Sequence, residues 1–153
     1  MNANAAWQPH GCTHPDWKDH WEGLYTQKNP ADVNWYQSHP QHSLSLIGDT
    51  GMGTAASIID VGGGASTLVD HLLQAGYRDI TVLDIARTAI ERVQQRLGDL
   101  SQQITWVEGD ITDYSPGRTF DIWHDRAVFH YLTLDRDRDC YLKALHNSLK
   151  PGG

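Results

Sequence analysis

A glycine cluster set between a β-branched run and an amphipathic stretch constrains this chain more than any other feature. Residues 57–86 read SIIDVGGGASTLVDHLLQAGYRDITVLDIA. The apolar run stops at Gly62, Gly63 and Gly64, where a strand gives way to a tight turn. Leu68, Val69, Leu72 and Leu73 then recur at helical spacing, which places them on one face. Gly76 is positioned to end that helix in the left-handed region, and DITVLD reads as a second strand. Strand, glycine turn, helix and strand make a βαβ unit. Its strands pair in parallel, because the helix carries the chain back to the starting end.

The remainder extends that unit. ARTAIERVQQRLGDL places Ile90, Val93 and Leu97 on one helical face. Thr88 and Glu91 fit a capping box there, with Ala86 the alternative first residue. QITWVEGD is a third strand and FDIWHD a fourth; a helix follows over residues 136–149, and KPGG turns the chain. Strands alternating with helices, and carrying few polar residues, predict an α/β fold, doubly wound around a mainly parallel sheet covered on both faces. Ahead of this core, residues 1–15 read as a loose polar arm. Asp16 can cap a helix bearing Trp17, Trp21, Leu24 and Tyr25, and a second helix is expected over residues 41–47 with Leu44, Leu46 and Ile47 inward. Residues 1–50 are thus expected to be an arm and helices that cover the site, and residues 51–153 the α/β core.

Composition excludes several classes. At 153 residues, with 39% hydrophobic and 20% charged residues, the chain is sized for one globular domain. It has no run of about 18 apolar residues and no basic start leading into an apolar core, so neither a membrane partner nor a signal peptide is expected and the expected setting is cytoplasmic. The net charge of -7 and the scattered basic residues argue against a nucleic-acid partner. Cys12 and Cys140 lie far apart without framework spacing, which predicts free thiols. His10, Cys12 and His14 are of zinc-ligating types, but their alternate spacing on a polar arm is not that of a finger, and no metal is expected.

In a doubly wound sheet the ligand lies against the carboxyl ends of the strands, at the switch in strand order. Gly62 and Gly64 would let the backbone approach it, with a helix opening near Ala65 or Ser66 behind them. Asp84 ends the second strand 20 residues after Gly64, where an acid can accept ribose hydroxyls or cap the next helix. Asp110 ends the third strand beside it and can accept from an adenine amine or cap a turn. A dinucleotide fingerprint would need glycine where Thr67 stands, and Asp60 puts a negative charge at the mouth that repels a pyrophosphate and suits an amine. A nicotinamide-dependent oxidoreductase is disfavoured on both grounds.

These segments resemble the class I S-adenosylmethionine-dependent methyltransferases. DVGGGAS is similar to their first motif, VLDIA to the second, EGDIT to the third, FDIWHDRAVFHYL to the fourth, and LKPGG to the turn into a fifth strand. The resemblance covers residues 57–153, and HWEGLYTQKNPADVNWY resembles the lead-in of a subgroup with small-molecule or uncertain substrates. It implies a Rossmann-like methyltransferase fold, here truncated after the helix following strand four. It implies S-adenosylmethionine as cofactor and S-adenosylhomocysteine as product. By the same resemblance Asp60 would hold the amino group, Gly62 and Gly64 would pass the methionine portion, Asp84 would bind the ribose and Ile85 would press on the adenine. Asp110 and Ile111 would recognise the adenine edge, and Trp35 with Tyr36 would close over the ligand. His124 and Asp125 are the catalytic candidates at the methionine end; His130 is a further base candidate or a structural histidine, and Arg126 is expected to pair with Asp125. The expected activity is methyl transfer to a small molecule. The alternatives are a protein lysine methyltransferase and a cofactor-binding but catalytically incompetent fragment. Self-association through an exposed fourth strand is expected as well.

Overall fold

Four strands form one parallel sheet in the computed structural model, which describes residues 15–153. They are β1 (Ile58–Val61), β2 (Ile80–Asp84), β3 (Ile104–Glu108) and β4 (Ile122–Asp125), in the order β3-β2-β1-β4. The helices are α1 (Pro15–Gln27), α2 (Gln41–Asp49), α3 (Leu68–Gln74), α4 (Arg87–Leu97) and α5 (Asp135–Ser148). After β1 the chain steps outward through α3 to β2 and through α4 to β3, then returns to the other side of β1 for β4. The reversal falls between β1 and β4, so their carboxyl ends open the crevice where such sheets bind ligands.

Side chains alternate across each strand and divide the core into two layers. Ile58, Ile80, Val82, Ile104 and Ile122 pack with α2, α3 and α4 residues on one face. Ile59, Val61, Leu83 and Phe120 pack with Leu132, Tyr141 and Ala144 on the other. Every residue of β1 and β2 is buried, as the apolar runs predict for strands covered on both sides.

Several expectations are corrected. α3 begins at Leu68 rather than near Ala65, because the glycine turn extends to Thr67. Leu46 points outward at 54% exposure, while Ser43 and Ile47 are the buried residues of α2. Ala86 is the N-cap of α4 and offers it no side-chain hydrogen bond; Glu91 pairs with Arg87 instead of closing a capping box. Cys140 is disulfide-bonded, not a free thiol. Cys12, like His10 and His14, lies outside the described residues.

β4 has no partner strand on its outer side among the described residues. Just before it, Phe120 bridges Leu149 in parallel, so the segment after α5 begins to run alongside β4. No helix among the described residues is long and apolar enough to cross a membrane.

Candidate functional site

The turn after β1 folds back onto β2. Gly62 and Gly63 both donate their amides to the Leu83 carbonyl, at 2.7 and 3.3 Å. Gly62 adopts a φ of 70°, open to glycine at little cost, and Val128 from the segment after β4 packs where a Cβ would stand. Gly64 donates to Asp84 Oδ2 at 2.9 Å, and Ala86 donates to Asp84 Oδ1 at 2.8 Å. Asp84 is therefore fixed as a brace between the turn and the start of α4. Its burial, against the pull of those two amides and with Asp60 and Glu22 nearby, raises its pKa to about 6.

Asp110 does two things at once. Its Oδ1 accepts from the Thr112 amide and hydroxyl at 2.9 and 2.7 Å, capping the short 3-10 turn Ile111–Asp113. Its Oδ2 is buried with no hydrogen-bond partner among the described residues. Asp60, only 2% exposed, is arranged in the same way. Its Oδ1 lies 2.7 Å from His124 Nδ1, and its Oδ2 is buried with no partner among the described residues. Two unpartnered carboxylate oxygens thus stand at the ends of β1 and β3, with Asp84 between them on β2.

A cavity of about 480 Å³ joins these strand ends to α1. Trp35, Gly62, Asp84, Ile85, Asp110 and Ile111, all expected at the site, line it. Asp60, His124, Gly62 and Trp35 line a second cavity of about 30 Å³, with Tyr36 and Arg126. Gly64 acts from behind, through its bond to Asp84. The alternation of β4 separates the two catalytic candidates. His124 follows Ile122 onto the α2 face, where its Nε2 meets Ser43 Oγ at 2.9 Å. Asp125 follows Trp123 onto the α5 face, where it accepts from Tyr141 Oη and from the Val128 and Phe129 amides. Both ring nitrogens and both carboxylate oxygens are engaged. Arg126 does not pair with Asp125; it donates to the Trp35 carbonyl at 2.8 Å and lines both cavities. His130 lies in the 3-10 turn Phe129–Tyr131 and is exposed.

Sequence reasoning missed part of the wall. Trp21 stacks on Tyr25 and meets Trp35 and Tyr131 edge-on, with centroids 5.1 to 6.3 Å apart, and these rings line the larger cavity. Burial and the charge of Asp84 push the Tyr25 hydroxyl up to about 12. The helical spacing of Trp21 and Tyr25 on α1 is that of an ordinary core stripe, so no sequence signal separates the two uses. The clamp of α1 was missed as well. Glu22 accepts from the Arg87 and Thr88 amides and the Thr88 hydroxyl, and Glu108 at the end of β3 pairs with Lys18 and Arg87. Among the described residues, no group of histidine, cysteine and carboxylate side chains could hold a metal ion.

Chemically, the site offers acceptors at both ends, apolar faces from Ile85 and Ile111, and aromatic rings beside them. Known proteins are similar to this chain, two in sequence and one in fold. Mouse "eEF1A lysine and N-terminal methyltransferase" is 23% identical over 120 residues, covering 78% of this chain and 17% of its own length. "Nodulation protein S" of Sinorhizobium fredii is 29% identical over 125 residues, covering 80% of this chain and 55% of its own. The crystal structure of the glycopeptide N-methyltransferase MtfA complexed with sinefungin superposes with a TM-score of 0.67 at 19% identity, over 82% of this chain and 56% of that one. The chain therefore spans about half, or less, of the length of these relatives. Residues 59–153 match the family described as "Methyltransferase domain", and the chain belongs to that family.

Proposed function

We propose that this chain binds S-adenosylmethionine and transfers its methyl group to a small-molecule acceptor. One observation carries the reading: the unpartnered oxygens Asp60 Oδ2 on β1 and Asp110 Oδ2 just past β3 flank Asp84 at the end of β2. A ligand with an ammonium at one end and an adenine amine at the other would satisfy both, and a buried acceptor left unmade costs about 1–3 kcal/mol. Ile85 and Ile111 would enclose the adenine, and Asp84 would accept from the ribose through lone pairs its two amides leave free. The cofactor supplies an activated methyl on a sulfonium. The rings of Trp21, Tyr25, Trp35 and Tyr131 offer π-faces to that cation, worth about 0.5–2 kcal/mol.

The chain's contribution to the reaction is positioning. His124 and Asp125 have their polar atoms committed, so we assign them to holding Asp60 and the segment after β4, not to taking a proton from the acceptor. Alignment of nucleophile and methyl then carries the rate. A protein lysine acceptor is the second reading, favoured by the name of the mouse relative. Calorimetry with S-adenosylhomocysteine and with NAD tests the cofactor: binding of the first alone is expected, and binding of NAD alone rejects it. Transfer of labelled methyl to a panel of small thiols, amines and carboxylic acids, against lysine peptides, decides the acceptor. We also propose self-association along the outer side of β4, where backbone groups face no strand among the described residues. A monomer by light scattering at high micromolar concentration would refute it.

A further inference from the structure

His124 is the middle member of a buried chain of three side chains. Its Nδ1 is 2.7 Å from Asp60 Oδ1, and its Nε2 is 2.9 Å from Ser43 Oγ on α2. The side chain of His124 is 11% exposed, and Asp60 and Ser43 are 2% and 3% exposed. The second oxygen, Asp60 Oδ2, abuts Gly63, where a Cβ would come within 2.2 Å of it. Asp60, Gly63 and His124 all line the smaller cavity of about 30 Å³, which is room for one water or one ammonium group.

Ser43 makes this chain indifferent to the charge of the ring, because a hydroxyl both donates and accepts. With a neutral ring, Nδ1–H donates to Asp60 and Nε2 accepts from the Ser43 hydroxyl. With a charged ring, Nε2–H donates to Ser43 Oγ. Neither form strands a buried nitrogen, so the proton is governed by the surrounding charges. The charges acting on the ring are Asp60 on β1, which it meets directly, Arg126, which lines the same cavity, and Asp125, which acts from the opposite face of β4. From α2 the ring meets the uncharged Ser43, and the adjacent His42 is exposed. Tyr36 lines the same cavity. Burial pulls the imidazole down, but the bond to Asp60 and the charges of Asp60 and Asp125 outweigh it and Arg126, and the ring is held above its ordinary value.

We propose that His124 is a positioning residue for the α-ammonium group of the cofactor, and that this ammonium competes with the His124 proton for Asp60, so that binding releases a proton. The inference rests on the cofactor reading above. A cation arriving beside Asp60 Oδ2 weakens the field that retains the second ring proton. That proton leaves Nε2 for the solvent, while Nδ1–H stays on Asp60 and keeps its carboxylate aimed at the turn. Linkage is reciprocal, so acid must weaken binding of the amino-acid tail.

Calorimetric titration with S-adenosylhomocysteine, in buffers of different ionisation heat, counts the protons released. Methylthioadenosine, the same nucleoside without the amino-acid tail, is the reference ligand. Release of about half a proton is expected for the first ligand near neutral pH and none for the second. The Kd for S-adenosylhomocysteine should rise about ten-fold from about pH 8 to about pH 6, with methylthioadenosine unaffected. His124→Asn keeps a donor where Nδ1 stands but cannot titrate, and should abolish both the release and the pH dependence. NMR titration of the His124 ring in the unaltered protein should give a lower pKa with S-adenosylhomocysteine bound. Equal proton counts for the two ligands, or a His124 titration unmoved by binding, overturns the proposal and leaves the cofactor reading standing. Failure of both ligands to bind overturns both.

Discussion

The Gly64 amide donates to Asp84 Oδ2 across 2.9 Å and joins the turn after β1 to the end of β2. A Cβ at position 64 would lie 2.6 Å from that oxygen and 2.8 Å from Ala89 Cβ. Neither neighbour is the tip of a flexible chain: Asp84 is held by two amides and Ala89 sits buried in α4. Gly64→Ala should therefore lower stability by about 1–3 kcal/mol in urea unfolding, the range of an overpacked site. It should also weaken S-adenosylhomocysteine binding, since Asp84 must shift. An unchanged unfolding midpoint would remove the close approach as the reason for glycine here.

Asp84 makes stability depend on pH in an unusual direction. Its folded pKa of about 6 lies above the ordinary 3.8, so between those values the folded protein binds more of this proton than the unfolded chain does. The contribution is most favourable below the ordinary value and is lost as pH rises through about 6. Above that, the buried charge costs about 3 kcal/mol. Asp84→Asn cannot ionise. From about pH 4 to about pH 7.5 its unfolding free energy should gain about 2.4 kcal/mol relative to the unaltered protein, with all other titrations cancelling in the difference. A flat difference across that range would mean burial does not govern this carboxylate.

The strands and the glycine turn were legible because they obey local rules. Four short strand-like runs, each ending in or near an acid, fall in the order that a parallel sheet requires. Asp60, Asp84 and Asp110 could be placed at the strand ends for the same reason, since a residue at the carboxyl end of a strand is placed by the strand itself. His124 and Asp125 show where such reasoning stops. Adjacent in sequence, they point to opposite faces, one toward Ser43 and the other toward Tyr141, and only the packing of α2 and α5 reveals their partners. Leu46 failed because helical spacing alone does not say which face of a nine-residue helix meets the sheet. Trp21 and Tyr25 were seen as apolar helix residues, but that they wall a cavity depends on where α1 docks, and Glu22 fixes that docking through a contact 66 residues away.

Glu22 replaces the missing cap of α4. Ala86 has no side-chain oxygen to offer, and the carboxylate of Glu22 takes the Arg87 and Thr88 amides instead. Glu22→Ala should cost about 0.5–2 kcal/mol, the range of a lost cap. Because those bonds hold its pKa below the ordinary value, this stabilisation should be present at neutral pH and fade as the solution is acidified below about 4.5. The variant should also bind S-adenosylhomocysteine more weakly, since α1 carries Trp21 and Tyr25. Equal affinity, with stability lowered, would show that the position of α1 does not shape the cavity.

Gly62 and Val128 meet where β1 and β4 end, and both line the larger cavity. At a φ of 70°, alanine at 62 carries a backbone cost of about 1–2 kcal/mol, and its Cβ would also come within 2.1 Å of Val128 Cγ2. Only the second cost can be relieved from the other side. Val128→Ala removes that methyl, so the double variant should be less destabilised than the sum of the single ones, by about 1–2 kcal/mol. The same coupling should appear in ligand affinity, with Gly62→Ala weakening S-adenosylhomocysteine binding and Val128→Ala restoring part of it. A double-mutant cycle in urea unfolding measures the first and calorimetry the second. Strict additivity in both would mean that the segment after β4 does not rest on the glycine turn, and that the floor of the cavity is set by β1 alone.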